Sequence, residues 1–333
     1  GYMPRIIGSW RNRLYNAGAG SKHSPQGTVD CPLCDPLGVF DSSFFHRPTR
    51  VNNKWYSMKP GTQMVYQGVA NRGGGLLPHV VIFTVTDLIK RINGINCVVA
   101  WDQDIGSGVL QESELFFIAQ SDSGDAWLAG EYPEEYENGQ FIGAENTWIH
   151  GIEAASAGVP VQKNPILGTP GFLQAIALEN DFWDCGQVHS ISLAKRRHRF
   201  DHDGDKDRGR HKGWQTPPDT LVIREWAPLD GCSVIQIKTY VAGIGVVAVG
   251  ALDDPEGETL ALIQVSHLSS AAMDSARTSA LILDAHGYQV NEIYAQTDSA
   301  RLAPRHRHGH GHGDGDADDD DDGDDDGDDL VAG

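Results

Sequence analysis

No run of eighteen or more apolar residues occurs in this chain of 333 residues, so it encodes no transmembrane helix. A charged-then-apolar leader does not open it either, and if the chain is exported its signal peptide is expected to have gone already. Cysteine is scarce: Cys31, Cys34, Cys97, Cys185 and Cys232 make an odd number that cannot close completely into disulfides within one chain. Excess basic charge is missing as well. The formal net charge is -20 at pH 7, which argues against nucleic acid as a partner of the body, because such affinity is built from Lys and Arg that displace counterions. The acidity is nevertheless local. Twelve aspartates between Asp314 and Asp329, with no base among them, account for most of it and leave -8 for the rest. Enzyme signatures are also absent: there is no G-x-S-x-G elbow, no H-E-x-x-H, no P-loop and no G-x-G-x-x-G after a strand.

What is present is β pattern. Residues 1–45 are rich in Gly, Arg, Asn and Ser without a sustained period and read as an N-terminal arm or linker. From Trp55 onward, short β-rich runs alternate with turn residues: "QMVYQGV", "HVVIFTVTDL", "INCVVAWDQDI", "LQESELFFIAQSD" and "DAWLAGEYPEEYENG", then "TLVIREWAPL", "SVIQIKTYVAGIGVVAVGAL" and "TLALIQVSHL". In "HVVIFTV" Val80, Ile82 and Thr84 oppose Val81, Phe83 and Val85, which predicts central strands covered on both faces. Ser269 or Ser270 is placed to cap a helix over "AAMDSARTSALILDAH", in which Met273, Ala276, Ala280 and Leu283 recur at helical spacing, with Gly287 placed to end it. The expected fold is mainly β: an antiparallel meander forming a sandwich or half-open barrel, with one C-terminal helix. The domain plan is an arm at 1–45, a β-rich domain at 46–290 carrying a charged insertion at 195–218, and a disordered His/Asp-rich tail at 291–333.

"NNKWYSMKPGTQMVYQG" (52–68) resembles the opening signature of an uncharacterised family of bacterial secreted proteins and lipoproteins, Y-x-L-K-P-G-T-x-x-V-Y-x-G. Further segments match in the family's order: "GINCVVAWDQ" (94–103), "ESELFFIAQSDSGDAWLAGEYPEEYENG" (112–139), "REWAPLDG" (224–231) and "YVAGIG" (240–245). The resemblance covers residues 50–290 or thereabouts. It implies a single β-rich domain and export, with no catalytic residues to carry over. The insertion and the acidic tail depart from the family's pattern.

Those two departures carry the metal-binding candidates. Asp201, Asp203, Asp205 and Asp207 alternate as calcium ligands do, with Gly204 and Gly209 for flexibility. Lys206 and Lys212 stand where a helix-loop-helix calcium site needs Gly and Glu, and the surrounding Lys195, Arg196, Arg197, Arg199, Arg208, Arg210 and Lys212 compete for the same oxygens. In the tail, His306, His308, His310 and His312 alternate on a glycine-rich chain that suits Zn2+ or Cu2+, and the aspartates behind them suit Ca2+. A solvated loop and a solubility tail are the plain alternatives.

Weaker candidates are Trp148 and His150 with His189 as a copper site, and Glu131, Glu134, Glu135 and Glu137 as a carboxylate pair flanking a glycosidic bond. Cys185 and Cys232 flank the insertion and form the preferred bridge in an oxidising compartment, while "CPLCD" (31–35) suits a local disulfide or two unconnected thiols better than half a zinc site. The expected protein is secreted, extracellular or on the cell surface, with the periplasm as a further compartment that fits. It is a non-enzymatic binding or structural protein that holds divalent metal ions and assembles with itself through the N-terminal arm. An extracellular hydrolase and a carrier of a hydrophobic ligand are the alternatives.

Overall fold

The computed structural model describes residues 32, 34–71, 75–194, 218–229, 235–252 and 257–304. Strands β1 (Asn52–Asn53) and β2 (Tyr56–Ser57) form a small hairpin. A meander follows: β3 (Thr62–Asn71), β4 (Leu76–Ile92), β5 (Ile95–Gly106), β6 (Val109–Gln120) and β7 (Ala126–Glu137). Its tight turns are Asn93–Gly94, Ser107–Gly108 and Asn138–Gly139, in each of which both residues have positive φ. That is the type I′ geometry whose twist matches the flanking strands, and it explains why glycine sits second in each turn.

Strands β8 (Gln140–Gly143) and β9 (Trp148–Ile149) pair along β7. Six-residue strands β10 (Ser156–Val161) and β11 (Phe172–Ala177) lead to β12 (Phe182–Ser192), β13 (Thr220–Trp226), β14 (Ile235–Val241), β15 (Gly245–Leu252) and β16 (Thr259–His267). Strand β16 pairs back onto β3, and β10 pairs with both β11 and β7. The ring β3 to β7 and β10 to β16 is therefore closed, a twelve-stranded antiparallel barrel with no open side.

Two cores lie on the two faces of the β4–β7 wall. Inside the barrel, Met64, Tyr66, Phe83, Phe116, Phe172, Leu221 and Tyr240 pack around Trp55 and Tyr56 of the small hairpin. Outside, helix α1 (Ser270–Val290) presses Ala276, Ala280, Leu283 and Gly287 onto Leu88, Leu115, Phe117 and Tyr132. Ser269 caps the helix, accepting from the Ala272 amide. Gly287 does not end it. The helix runs on to Val290, and glycine is required at 287 because a Cβ there would meet the Tyr294 ring at 2.5 Å. Past Val290 the chain stays on the body: Tyr294 is buried, and β17 (Arg301–Leu302) pairs with β4.

At the other end of the chain, Phe40 and Phe45 pack against Trp127 in the outer core. Cys34 is joined to Cys185 across 151 positions, which corrects the expected Cys185–Cys232 bridge. The reason is register. Trp226 stands opposite Cys185, and the Cys185 side chain faces outward into a cluster with Leu173 and Trp226, where the segment around Asp35 bridges to Phe172. Cys31 and Cys232 lie outside the described residues.

Candidate functional site

The barrel lumen divides along its axis. At the end away from the β3–β4, β5–β6 and β7–β8 turns it is apolar. Toward those turns it is lined with acid. On β5, Asp102 and Asp104 follow Ala100 at strand period, and by register they stand opposite Glu114 and Glu112 of β6, which share a face with Phe116. Glu131 of β7 is the partner of Phe116 and donates nothing but accepts the Trp148 indole N–H at 3.0 Å. Across the barrel, Asp184, Glu225 and Glu258 face the same space from β12, β13 and the start of β16. All eight carboxylates are at most 5% exposed.

Two described cations sit among them. Lys238 Nζ lies 2.7 Å from Glu225 Oε2, and Glu225 Oε1 also accepts from Gln174. His79 is gripped on both ring nitrogens, by Asp104 through Nε2 and by Glu258 through Nδ1, each at 2.8 Å. Burial alone would push the imidazole down, but the two carboxylates more than offset this and raise it to about 9. Tyr56 shows the same field from the other side: burial, then the charges of Glu225 and Glu131, push its phenol well up.

On the outer face a second polar group ties helix α1 down. Glu134 accepts from Tyr132 and Tyr136 hydroxyls, and its Oε1 lies 2.6 Å from Nδ1 of the half-exposed His286. Lys90, fully buried, donates to Asp284 Oδ1, the Tyr288 hydroxyl and the Asp298 carbonyl, and lies 4.2 Å from the centroid of the Tyr294 ring.

These positions decide the weaker candidates. Glu131 points into the lumen whereas Glu134 lies under the helix, so strand alternation puts them on opposite faces and they do not form a carboxylate pair around one substrate. Glu135 is held by Asn146, and Glu137 is exposed at the strand end. Trp148 is stacked on Phe182 in the interior, while His150 accepts the Ala157 amide and meets the Phe40 ring outside; burial lowers its imidazole. His189 is exposed in a bulge of β12. Among the described residues, no group of three or more His, Cys, Asp or Glu is arranged to hold a metal ion. The principal candidates Asp201, Asp203, Asp205, Asp207, His306, His308, His310 and His312 lie outside the described residues. The acid-lined lumen has a sequence signal, the Asp-x-Asp of β5 and the Glu-x-Glu of β6 at strand period, which alternation alone does not assign to one face of the wall.

No family model matches the chain, and no curated protein matches it. Among solved structures, it is similar to a protein assigned as a lipoprotein from Parabacteroides distasonis, at 12% identity over 64% of this chain and 99% of that one, with a TM-score of 0.32. It is also similar to an exported protein with a YmcC-like fold from Bacteroides fragilis, at 12% identity over 67% of this chain and 98% of that one, with a TM-score of 0.28. Likeness at this level carries no weight on fold or activity, which rest on this chain's own residues.

Proposed function

We propose that the protein is an exported, non-enzymatic binding or structural protein of the cell surface or extracellular space. The Cys34–Cys185 bridge carries this reading, because disulfides persist in oxidising compartments and are rare where thiols are kept reduced. The ordered motifs from 52 to 245 that resemble a family of secreted proteins and lipoproteins support it. On the structural side, the aromatic filling of the lower lumen and the closed wall favour a rigid scaffold over a carrier. Alkylation of freshly isolated native material without reductant tests export: Cys34 and Cys185 should be protected, and full labelling of both would sink the reading.

Divalent-metal binding is the finer part of the proposal. His306, His308, His310 and His312 take Zn2+ or Cu2+, and the aspartates behind them take Ca2+ loosely, with Asp201, Asp203, Asp205 and Asp207 as the weaker site. The ranking follows from local charge, since Lys and Arg crowd the loop whereas no Lys or Arg follows Arg307 in the tail. Calorimetry with Ca2+ and Zn2+ on the full chain, a truncation after Pro304 and the four-fold Asp→Asn loop variant separates the two. Calcium binding that survives truncation and vanishes in the loop variant reverses the ranking.

A further inference from the structure

Away from helix α1, the outer wall of the barrel inverts the usual sorting of side chains. Of the Asp, Glu, Lys and Arg residues on β13, β14, β15, β16 and β3, Glu225 and Lys238 point into the lumen as an ion pair, and only Arg224 points out. A protein surface normally keeps its charges on the water side. Here the outward positions carry no acid, and the wall has a definite relief. Val222, Ile235 and Ile237 of β13 and β14 form a ridge. Beside it the surface drops to Ala248 and Gly250 of β15 and Ala261 of β16, then rises again at Val65 and Val69 of β3. Leu252 of β15 and Ile263 of β16 are 51% and 54% exposed.

Gly250 is the informative position of the trough. It faces Ile237 in unbroken register, its φ lies outside the left-handed region, and a Cβ built on it would meet nothing within 4 Å. No described residue therefore calls for glycine there. Glycine weakens a strand interior, and where no turn or bulge requires it, it marks close approach by another backbone or a ligand. Three features select a second copy of this chain as what approaches. Ridge and trough lie side by side, so a twofold axis between them sets the ridge of each copy into the trough of the other. The chain as a whole is acidic, and this wall lacks the outward acids that would make two copies repel. Gln67 and Gln264 stand exposed on the wall, and amides, having both donors and an acceptor, can pair with their own kind, whereas hydrocarbon would leave them unpaired. A single outward cation also falls short of the basic cluster that an anionic lipid surface attracts.

We propose that the outer wall formed by β13, β14, β15, β16 and β3 is a twofold interface on which a second copy of the chain packs face to face. The inference goes beyond the proposed function and stands on neither export nor metal binding. It gives the open side of Gly250 an occupant, the Val222, Ile235 and Ile237 ridge of the other copy.

Sedimentation equilibrium of the full chain in EDTA, which removes association through metal ions, is the direct test and should show a concentration-dependent dimer. Gly250→Val fills the trough and should weaken the dimer at least about tenfold. It should not lower the Tm of the dilute monomer, because valine suits a strand and meets no neighbour there. Ile237→Asp places a charge in the contact and should weaken the dimer at least about a hundredfold. Ile282→Asp, at a position 65% exposed on helix α1, should leave the association constant unchanged. A chain that stays monomeric at every concentration overturns the proposal. So does a dimer that survives either wall variant, or one that Ile282→Asp breaks equally. Monomer that floats with phosphatidylcholine vesicles overturns the choice of occupant in favour of a lipid surface.

Discussion

Lys90 Nζ lies 2.8 Å from Asp284 Oδ1, an ion pair with both side chains buried that joins strand β4 to helix α1 across 194 positions. Tyr294 donates to the same carboxylate oxygen and the Ala300 amide to the other, so the pair also holds the chain after the helix. Lys90→Met leaves Asp284 as a buried charge without its cation. The expected loss is about 3–5 kcal/mol in urea unfolding, and the double variant Lys90→Met with Asp284→Leu should recover most of it. A loss below about 1 kcal/mol for Lys90→Met would mean that the helix is held by apolar contact alone.

Gly287 occupies the same interface. A Cβ at 287 would stand 2.5 Å from Tyr294 Cδ1 and 2.9 Å from Tyr132 Cζ, two rings whose centroids are themselves 4.2 Å apart. Alanine gains about 1 kcal/mol of helix propensity, but overpacking against two buried rings costs about 1–3 kcal/mol. Gly287→Ala should therefore be destabilising in thermal melts. A raised Tm would show that the rings move freely.

The comparison of 287 with its neighbours shows what the sequence could and could not convey. Ala276, Ala280 and Leu283 were legible because one face of a helix has a fixed period. Gly287 sits on that same face, yet its reason is a close approach by a tyrosine from beyond the helix, and no local pattern carries that. The strands were legible for the same reason as the helix, from alternation in "HVVIFTV" and similar runs. Barrel closure was not, because β7 meets β10 only through Gly158 and Val161 at a bulge. Asp102, Asp104, Glu112 and Glu114 share parity with Ala100 and Phe116, so strand alternation puts them inside, against the general tendency of acids to remain exposed.

The bridge from Cys34 to Cys185 closes a loop of about 150 residues, for which loop-closure entropy gives roughly 5 kcal/mol. Non-reducing peptide mapping should recover the two cysteines on one joined species. Cys97 is buried, and burial pushes its thiol up, so it should alkylate only after unfolding. Cys185→Ser should lower the unfolding free energy by an amount approaching that figure, with Cys34 becoming reactive. Rapid labelling of Cys97 in the native protein would contradict the packing of the outer core.

His79 provides a test of the lumen that needs no ligand. Its ring faces Asp104 through Nε2 and Glu258 through Nδ1, and both grip the imidazolium form. An unfolded histidine titrates near pH 6.5, whereas in the fold this one is raised to about 9. A folded pKa above the unfolded one means that the stabilisation is fully present below about pH 6.5 and is lost as pH rises toward 9. The window sets the magnitude at about 3 kcal/mol. Urea unfolding at pH 6 and at pH 9.5 should show the wild type losing about 3 kcal/mol more than His79→Gln, which has no proton to give up. The variant itself should be less stable at pH 6, because Asp104 and Glu258 then face a neutral amide. Equal losses in the two proteins would assign the alkaline destabilisation elsewhere and remove His79 as a cation of the lumen.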